Sequence, residues 1–193
     1  MENDDLVVEV LEVFINYILY GRQVYPKAIF RKRRAFSTLV YKSIYPPLND
    51  YLKSILGSVR LLKRLKKLHR VEMIISRNEK MQENYIFDIE DLPEIGSNDK
   101  YLIEFEESIR KSIVLLEGRL KGLKALEEGD VNFKIILHTT QSAYVSLGED
   151  KELEEFSWLK ASDENPKERD RATLLPITSA PFVGLQIYTE EYV

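Results

Sequence analysis

The chain of 193 residues contains no cysteine, only two histidines and a single tryptophan. Without cysteine it can form neither a disulfide bridge nor a metal site built on thiolates, and a reducing compartment is expected. No apolar run approaches the roughly 20 residues that span a bilayer. The acidic start, MENDDLVVEV, lacks the basic residues that begin a signal peptide. These absences favour a globular protein of the nucleus or cytoplasm, with no membrane partner.

The sequence motifs of common enzymes are missing as well. There is no P-loop, no GxGxxG and no GxSxG pattern. His69 and His138 lie far apart in the sequence, and we interpret them as part of a basic helix end and of a strand. The acidic residues Asp88, Glu90 and Asp91 follow a strand into what we interpret as a turn. We therefore expect a protein that is not an enzyme and that holds no metal and no cofactor.

The charge of the chain argues against nucleic-acid binding through most of its surface. The formal net charge is −4 and the isoelectric point about 5.4, whereas nucleic-acid-binding domains are usually basic. Two basic patches stand out, at residues 31–34 and 60–70. We interpret both as solvated faces, and direct nucleic-acid binding through them is the less favoured alternative.

The pattern of apolar residues predicts an α+β fold. A first helix is predicted by the helical spacing from Leu6 to Leu19, and its many apolar positions predict that it is buried. Pro46 and Pro47 begin a second helix, and a third runs from about residue 99 to 127. Strand composition is found in six segments, of which the second and third form a hairpin: residues 36–44, 71–76, 84–89, 131–139, 174–177 and 182–189.

The last third of the chain has a different character. Periodicity is weak after Thr139, and the polar stretch 163–171 separates the last two strand-like segments from the rest. Long polar loops inside a domain are usually functional or disordered. Trp158 lies in this region, and the residues alone leave open whether it fills the core or anchors a bound peptide.

Several segments resemble the HORMA-domain family, in the same order along the chain. They are ILYGRQVYP at 18–26 and YIFDI at 85–89. PLNDY at 47–51 and the tail pieces FSW, LLPI and QIYTEE resemble the branch that contains the non-catalytic HORMA subunit of DNA polymerase zeta. The resemblance implies a single HORMA domain over residues 1–193, with three helices packed on a mainly antiparallel sheet. Residues 1–140 would be the core and residues 141–193 a C-terminal safety belt.

The same resemblance implies an adaptor in translesion DNA synthesis. The belt would close over a proline-containing peptide of the polymerase's catalytic subunit, with Tyr51 and Trp158 lining the pocket and Tyr25 nearby. Aromatic rings suit proline, and a peptide that is already extended loses little entropy on binding. Backbone pairing with a sheet edge would supply the remaining affinity.

Further partners are implied by the resemblance alone. Leu174, Gln186 and Tyr188 would form a second surface on the belt, which binds the C-terminal domain of the Y-family scaffold polymerase. Arg110 matches an arginine used in HORMA–HORMA dimers, and an AAA+ ATPase would remodel the belt. The alternative within the family is a spindle-checkpoint protein that binds a checkpoint partner's peptide.

Overall fold

The computed structural model describes residues 3–90, 99–126, 129–140, 142–143, 172–180 and 185–192. Within these ranges the chain forms three α-helices and seven β-strands, together with a short 3-10 turn at Lys27–Ile29. The helices are α1 (Asn3–Gly21), α2 (Pro46–Arg64) and α3 (Asp99–Gly122). The strands are β1 (Phe30–Ala35), β2 (Thr38–Ser43), β3 (Leu68–Arg77), β4 (Lys80–Ile89), β5 (Val131–Thr139), β6 (Ala172–Ala180) and β7 (Leu185–Tyr192).

The strands form one five-stranded sheet and one separate two-stranded ribbon. The sheet has the order β5-β3-β4-β7-β6, and every neighbouring pair in it is antiparallel. The ribbon consists of β1 and β2. The predicted α+β class with three helices on a mainly antiparallel sheet is confirmed. The separate ribbon was not predicted, because the sequence of β1, FRKRRA, has no apolar alternation.

Helix α1 lies at the centre of the core, as its apolar pattern predicts. The side chains of Phe14 and Ile18 are fully buried, and so are their neighbours Leu11 and Leu19. Phe14 makes an edge-to-face contact with Phe87 of β4, at 6.4 Å between ring centroids. Each such side chain contributes about 1.5–3 kcal/mol when it leaves water, so this helix holds the other elements together.

A buried ion pair joins the end of α1 to the sheet. The Arg22 guanidinium donates two hydrogen bonds of 2.9 Å from Nε to the Glu83 carboxylate and one of 2.7 Å from Nη2 to the Lys124 carbonyl. The Tyr85 hydroxyl donates to the same carboxylate at 2.7 Å, and burial, followed by the Glu83 charge, raises the pKa of Tyr85 well above its ordinary value. A buried charge is tolerated only when it is paired and hydrogen-bonded, as it is here.

The hairpin of β3 and β4 is longer and tighter than the sequence predicts. Its turn is formed by Asn78 and Glu79, whose φ angles of 48° and 67° match the two-residue turns that suit twisted strands. The interpretation of His69 as part of a helix end is wrong, because His69 belongs to β3. Asp88 lies in β4, within the predicted strand 84–89, but its carboxylate accepts a hydrogen bond of 2.5 Å from Arg70 Nε and takes part in no turn.

Other boundaries differ in detail from the predictions. Helix α3 ends at Gly122, several residues before the predicted end, because glycine near a helix terminus favours its ending. None of the described helices combines the length and the apolarity that crossing a membrane requires. The division into a core and a belt at residue 140 stays a prediction.

Candidate functional site

One edge of the five-stranded sheet is formed by β5. This strand pairs with β3 on one side, and no described strand pairs with its other side. The register is regular over the length of β5 except for one shift opposite Leu68 and Arg70. An edge strand of nine residues presents a row of backbone groups that can pair with another chain. The edge of β5 is therefore a candidate binding site.

The hydrogen-bond pattern shows which residues of β5 face outward. The Asn78 amide donates to the Asp130 carbonyl at 2.9 Å, so residue 130 directs its backbone groups toward β3. In an antiparallel pair this direction alternates along the strand. The even-numbered residues of β5 are therefore bonded to β3. The N–H and C=O groups of Phe133, Ile135 and Leu137 point to the open side.

Four aromatic side chains meet beside this edge, from the segment after α1, from the start of α2 and from β5. Phe133 of β5 is in edge-to-face contact with Tyr51 of α2 at 5.7 Å and with Tyr25 at 6.1 Å between ring centroids. Tyr25 also contacts Tyr45 at 6.4 Å. Tyr45 is 44% exposed, so the group is open to solvent at that end. We call Tyr25, Tyr45, Tyr51 and Phe133 the aromatic cluster.

Local sequence explains how the cluster is built. Tyr45 directly precedes the Pro46-Pro47 pair, which starts α2 and holds Tyr45 in an extended conformation with φ −86° and ψ 109°. Tyr51 follows in the second turn of α2. Tyr25 directly precedes Pro26, the residue before the short 3-10 turn at Lys27–Ile29. Tyr25 and Tyr51 are both predicted site residues, and the structure brings them together on the ring of Phe133.

Two members of the cluster were missed from the sequence. Tyr45 could have been found, because proline restricts the preceding residue to an extended conformation. An aromatic residue before two prolines that open a helix therefore lies outside that helix. Phe133 is one of several apolar residues in VNFKIILHT, and nothing in that pattern distinguishes it from a core residue.

The Tyr51 hydroxyl also contacts the open edge directly. Burial raises the pKa of Tyr51 above its ordinary value, and a hydrogen bond with the Ile135 backbone acts in the opposite direction. A hydrogen bond that lowers a phenol's pKa is one that the oxygen accepts, so the Ile135 N–H is the donor. Tyr51 is therefore bonded to one of the outward groups of β5. Burial, followed by the nearby Tyr45, also raises the pKa of Tyr25.

The remaining predicted site residues lie elsewhere or outside the described residues. Trp158 is outside them. Leu174 lies on β6 opposite Glu190 of β7, and Gln186 and Tyr188 lie on β7 itself. Directly opposite residues share a face, as do residues two apart on one strand. Positions 174, 186 and 188 therefore fall on one face of the β6–β7 pair.

The predicted dimer residue lies on the outside of α3. Arg110 is exposed, and Ile103 and Val114, each 61% exposed, lie one or two turns from it on the same side of the helix. The role of Arg110 stays a prediction.

A polar group crosses the sheet from β5 to β4. His138 Nε2 lies 3.2 Å from Glu72 Oε1, and the Asn84 amide donates to Glu72 at 3.3 Å. Burial acts to raise the pKa of Glu72, but the bonds and charges of His138, Asn84 and Arg70 outweigh it and the pKa lies below its ordinary value. Across the described ranges, no three acidic or histidine side chains are arranged to hold a metal ion.

Comparison with known proteins adds the family. A scan against models of known protein families gives no match. DNA polymerase zeta subunit 2 of Drosophila melanogaster is 36% identical over 186 residues, which are 95% of this chain and 93% of that protein. The mitotic spindle assembly checkpoint protein MAD2B of Danio rerio is 27% identical over 190 residues, which are 97% of this chain and 90% of that protein.

A solved structure agrees with the fold described above. C. elegans HTP-2 bound to HTP-3 closure motif 1 matches with a TM-score of 0.69 and 11% identity, over 98% of this chain and 85% of that chain. The antiparallel sheet with three helices is thus the fold of a HORMA domain. At 36% identity over nearly its whole length, the chain belongs to the HORMA-domain family that includes DNA polymerase zeta subunit 2.

Proposed function

We propose that the protein is the non-catalytic adaptor subunit of a translesion DNA polymerase zeta. In this role it binds a proline-containing peptide of the catalytic subunit along the open edge of β5. The observation that carries the proposal is the aromatic cluster beside three residues whose backbone groups point away from the sheet. The 36% sequence identity with DNA polymerase zeta subunit 2 of Drosophila melanogaster supports the choice of partner.

The chemistry of the site fits an extended peptide with proline. A peptide strand pairs with the outward groups of Phe133, Ile135 and Leu137, which gives affinity without regard to side chains. Specificity comes from the rings of Tyr25, Tyr45 and Tyr51, whose flat apolar faces suit proline. Trp158 is proposed to complete this pocket when residues 141–193 close over the peptide as a safety belt.

Calorimetry with a synthetic peptide of the catalytic subunit tests the proposal. Tyr51→Ala should raise the dissociation constant about 30-fold, which is about 2 kcal/mol and typical of an aromatic anchor. Tyr41→Ala is the matched control, because Tyr41 is also half-buried but its ring contacts lie with Tyr17 and Tyr20. Equal affinity of both variants and the unmodified protein would overturn the proposed site.

The second proposed surface binds the C-terminal domain of the Y-family scaffold polymerase. Its support is the register, which gives Leu174, Gln186 and Tyr188 a common face on β6 and β7. Replacing all three with alanine should remove binding of this domain while the peptide of the catalytic subunit stays bound. Loss of both ligands together would mean that the β6–β7 pair had come apart, and the two-surface proposal would have to be dropped.

Three subsidiary roles belong to the same proposal. The protein acts in the nucleus and also occurs in the cytoplasm, it dimerises through α3 at Arg110, and an AAA+ ATPase remodels its belt. Arg110→Ala should convert a dimer to a monomer in light scattering if the second role holds. A fluorescent fusion that stays out of the nucleus after DNA damage would contradict the first.

A second candidate function is favoured by the checkpoint protein at 27% identity. In that function the same β5 edge would hold the peptide of a checkpoint partner. Competition between the two peptides for the protein separates the candidates. The polymerase peptide should displace a checkpoint peptide at lower concentration, and the reverse order would favour the checkpoint function.

A further inference from the structure

The basic run at residues 31–34 forms the outer strand of the two-stranded ribbon. Strand β2 lies against α1 and α2, and β1 pairs with its far side. All four side chains from Arg31 to Arg34 are exposed, whereas Phe30 before them is buried. Since successive side chains of a strand point to opposite faces, cations are presented on both faces of the ribbon at once.

These cations are not neutralised by the part of the protein that the structure describes. Lys32, Arg33 and Arg34 form no ion pair with any described carboxylate. Arg31 uses its guanidinium for two backbone carbonyls, those of Ala28 at 2.9 Å and Phe30 at 3.0 Å. The four positive charges are therefore available to an external anion.

The second basic patch of the sequence is different. Arg60 Nε lies 3.1 Å from Asp5 Oδ1, and Arg70 Nε lies 2.5 Å from Asp88 Oδ1. Lys63 is buried and donates to the Glu90 carbonyl at 2.9 Å. Three of its cations are thus engaged within the protein. The interpretation as a plain solvated face therefore does not fit the second patch. Lys32, Arg33 and Arg34 of the ribbon differ from it in having no ion pair with a described carboxylate.

The ribbon also stands out against the charge of the whole chain. The total is −4, and removing the four cations of residues 31–34 leaves −8 on the remainder. A polyanion that approaches this protein is therefore repelled by most of the surface and attracted at the ribbon. Such an arrangement favours binding in one orientation.

We propose that β1 contacts the phosphate backbones on both sides of a groove of duplex DNA, without reading its sequence. Strand β1 forms the protruding side of the ribbon, and it is narrower than a whole two-stranded ribbon, which already fits the major groove of about 12 Å. Cations on both faces then reach phosphates on both walls. The strand of six residues spans about 20 Å at 3.3 Å per residue. That length follows the groove over several base pairs.

Single-stranded DNA fits the ribbon less well. Proteins bind single strands by stacking bases on exposed aromatic rings beside a basic groove. The aromatic rings of the ribbon are already occupied, since Tyr41 stacks on Tyr20 with 3.5 Å between centroids and Phe36 contacts Phe105. A single strand would also present one row of phosphates and leave the cations of one face unused.

The test measures how binding of a random 20-base-pair duplex depends on salt, by fluorescence anisotropy between 50 and 200 mM KCl. Each phosphate contact contributes about −0.9 to the slope of log K against log salt, so four cations predict a slope of about −3.6. Arg33→Gln with Arg34→Gln should reduce the slope by about 1.8 and weaken binding about tenfold or more at 100 mM KCl.

A control of equal charge is Arg64→Gln with Lys67→Gln, both exposed residues of the second patch. It should leave the slope and the affinity unchanged. Arg33→Lys with Arg34→Lys should keep the slope, because the proposed phosphate contacts depend on positive charge and not on the paired donors of a guanidinium. Thermal unfolding and binding of the catalytic-subunit peptide should be the same in all variants, which separates this proposal from the β5 site.

Several results would overturn the proposal. They are no binding of the unmodified protein at 50 mM KCl, equal weakening by both charge-removing pairs, and tighter binding of a single strand of equal length. Displacement of the duplex by a polyglutamate peptide at equal charge concentration would assign the ribbon to an acidic protein instead.

Discussion

The two edges of the five-stranded sheet are built in opposite ways. At one edge β6 contains Pro176, which has no N–H to offer, and its register with β7 shifts between Pro176 and Thr178. At the other edge β5 has no proline, pairs evenly with β3 over most of its length and carries Phe133 of the aromatic cluster. Proline and irregular pairing protect an edge strand from unwanted partners. The edge at β6 is thus poorly suited to pairing with a further strand, whereas β5 presents regular backbone groups on the side that no described strand occupies.

The sharpest way to test this difference is to alter the peptide backbone. Two versions of the peptide would carry N-methyl groups, one at odd and one at even positions over the paired segment. Only one set of amides can face β5, so one version should lose about 100-fold in affinity and the other should bind normally. Three lost hydrogen bonds at about 1 kcal/mol each account for this loss. Equal behaviour of both versions in calorimetry would rule out strand addition at β5.

The proposed role of Trp158 as a peptide anchor predicts the next largest effect. Trp158→Ala should weaken peptide binding by about 2 kcal/mol while the unfolding temperature stays close to that of the unmodified protein. Trp158→Phe is the control, since it keeps an aromatic face, and it should recover part of the affinity. If Trp158→Ala instead prevents folding, the residue fills the core and the anchor role is wrong.

The polar group of His138, Glu72 and Asn84 predicts a smaller, pH-dependent effect on stability. The folded-state pKa of Glu72 is lowered, so its contribution to stability is complete above the unfolded pKa of about 4.5 and is lost as the pH falls below it. Glu72→Gln should therefore cost about 1 kcal/mol of unfolding free energy at pH 6 and less at pH 3.5. Urea titrations at both pH values measure this, and a pH-independent difference would contradict it.

The edge at β6 gives the smallest effect. Pro176→Val returns an N–H to β6 and should allow weak self-association, seen as a mass that rises with concentration in light scattering. Lys134→Val on β5 is the comparison, because it makes the open edge more apolar without changing its donors. Self-association of the Lys134 variant alone would mean that charge, and not proline, protects these edges.

Much of the fold could be predicted from local pattern. The period of α1, the prolines that begin α2 and the polar turn of the hairpin each act over a few residues, and the structure confirms them. Strand β1 could not be predicted, because its stability comes from pairing with β2 and not from apolar faces. The buried pair of Arg22 and Glu83 joins residues 61 positions apart, and no local pattern reveals it.

The candidate site was predictable only in part, because its residues come from segments that are distant in the sequence. Tyr25 and Tyr51 came from a resemblance, and nothing in their own neighbourhoods predicts that both contact Phe133, which lies far along the chain. The side of β5 that no described strand pairs with follows from the order of the strands, which depends on where β7 pairs. Such features arise from contacts between distant segments.

The hydrogen bond between Ile135 and Tyr51 uses a backbone donor that the proposed peptide strand would also need. Binding of that strand would exchange one hydrogen bond for another at Ile135, so this contact would add little net affinity. It would select among ligands, because a strand unable to bond there would leave the Tyr51 phenol in place. Tyr51→Phe removes the competitor and keeps the ring, and should bind the peptide as tightly as the unmodified protein or slightly more tightly, with faster association in stopped-flow measurements. Slower association would mean that the hydroxyl guides the peptide in.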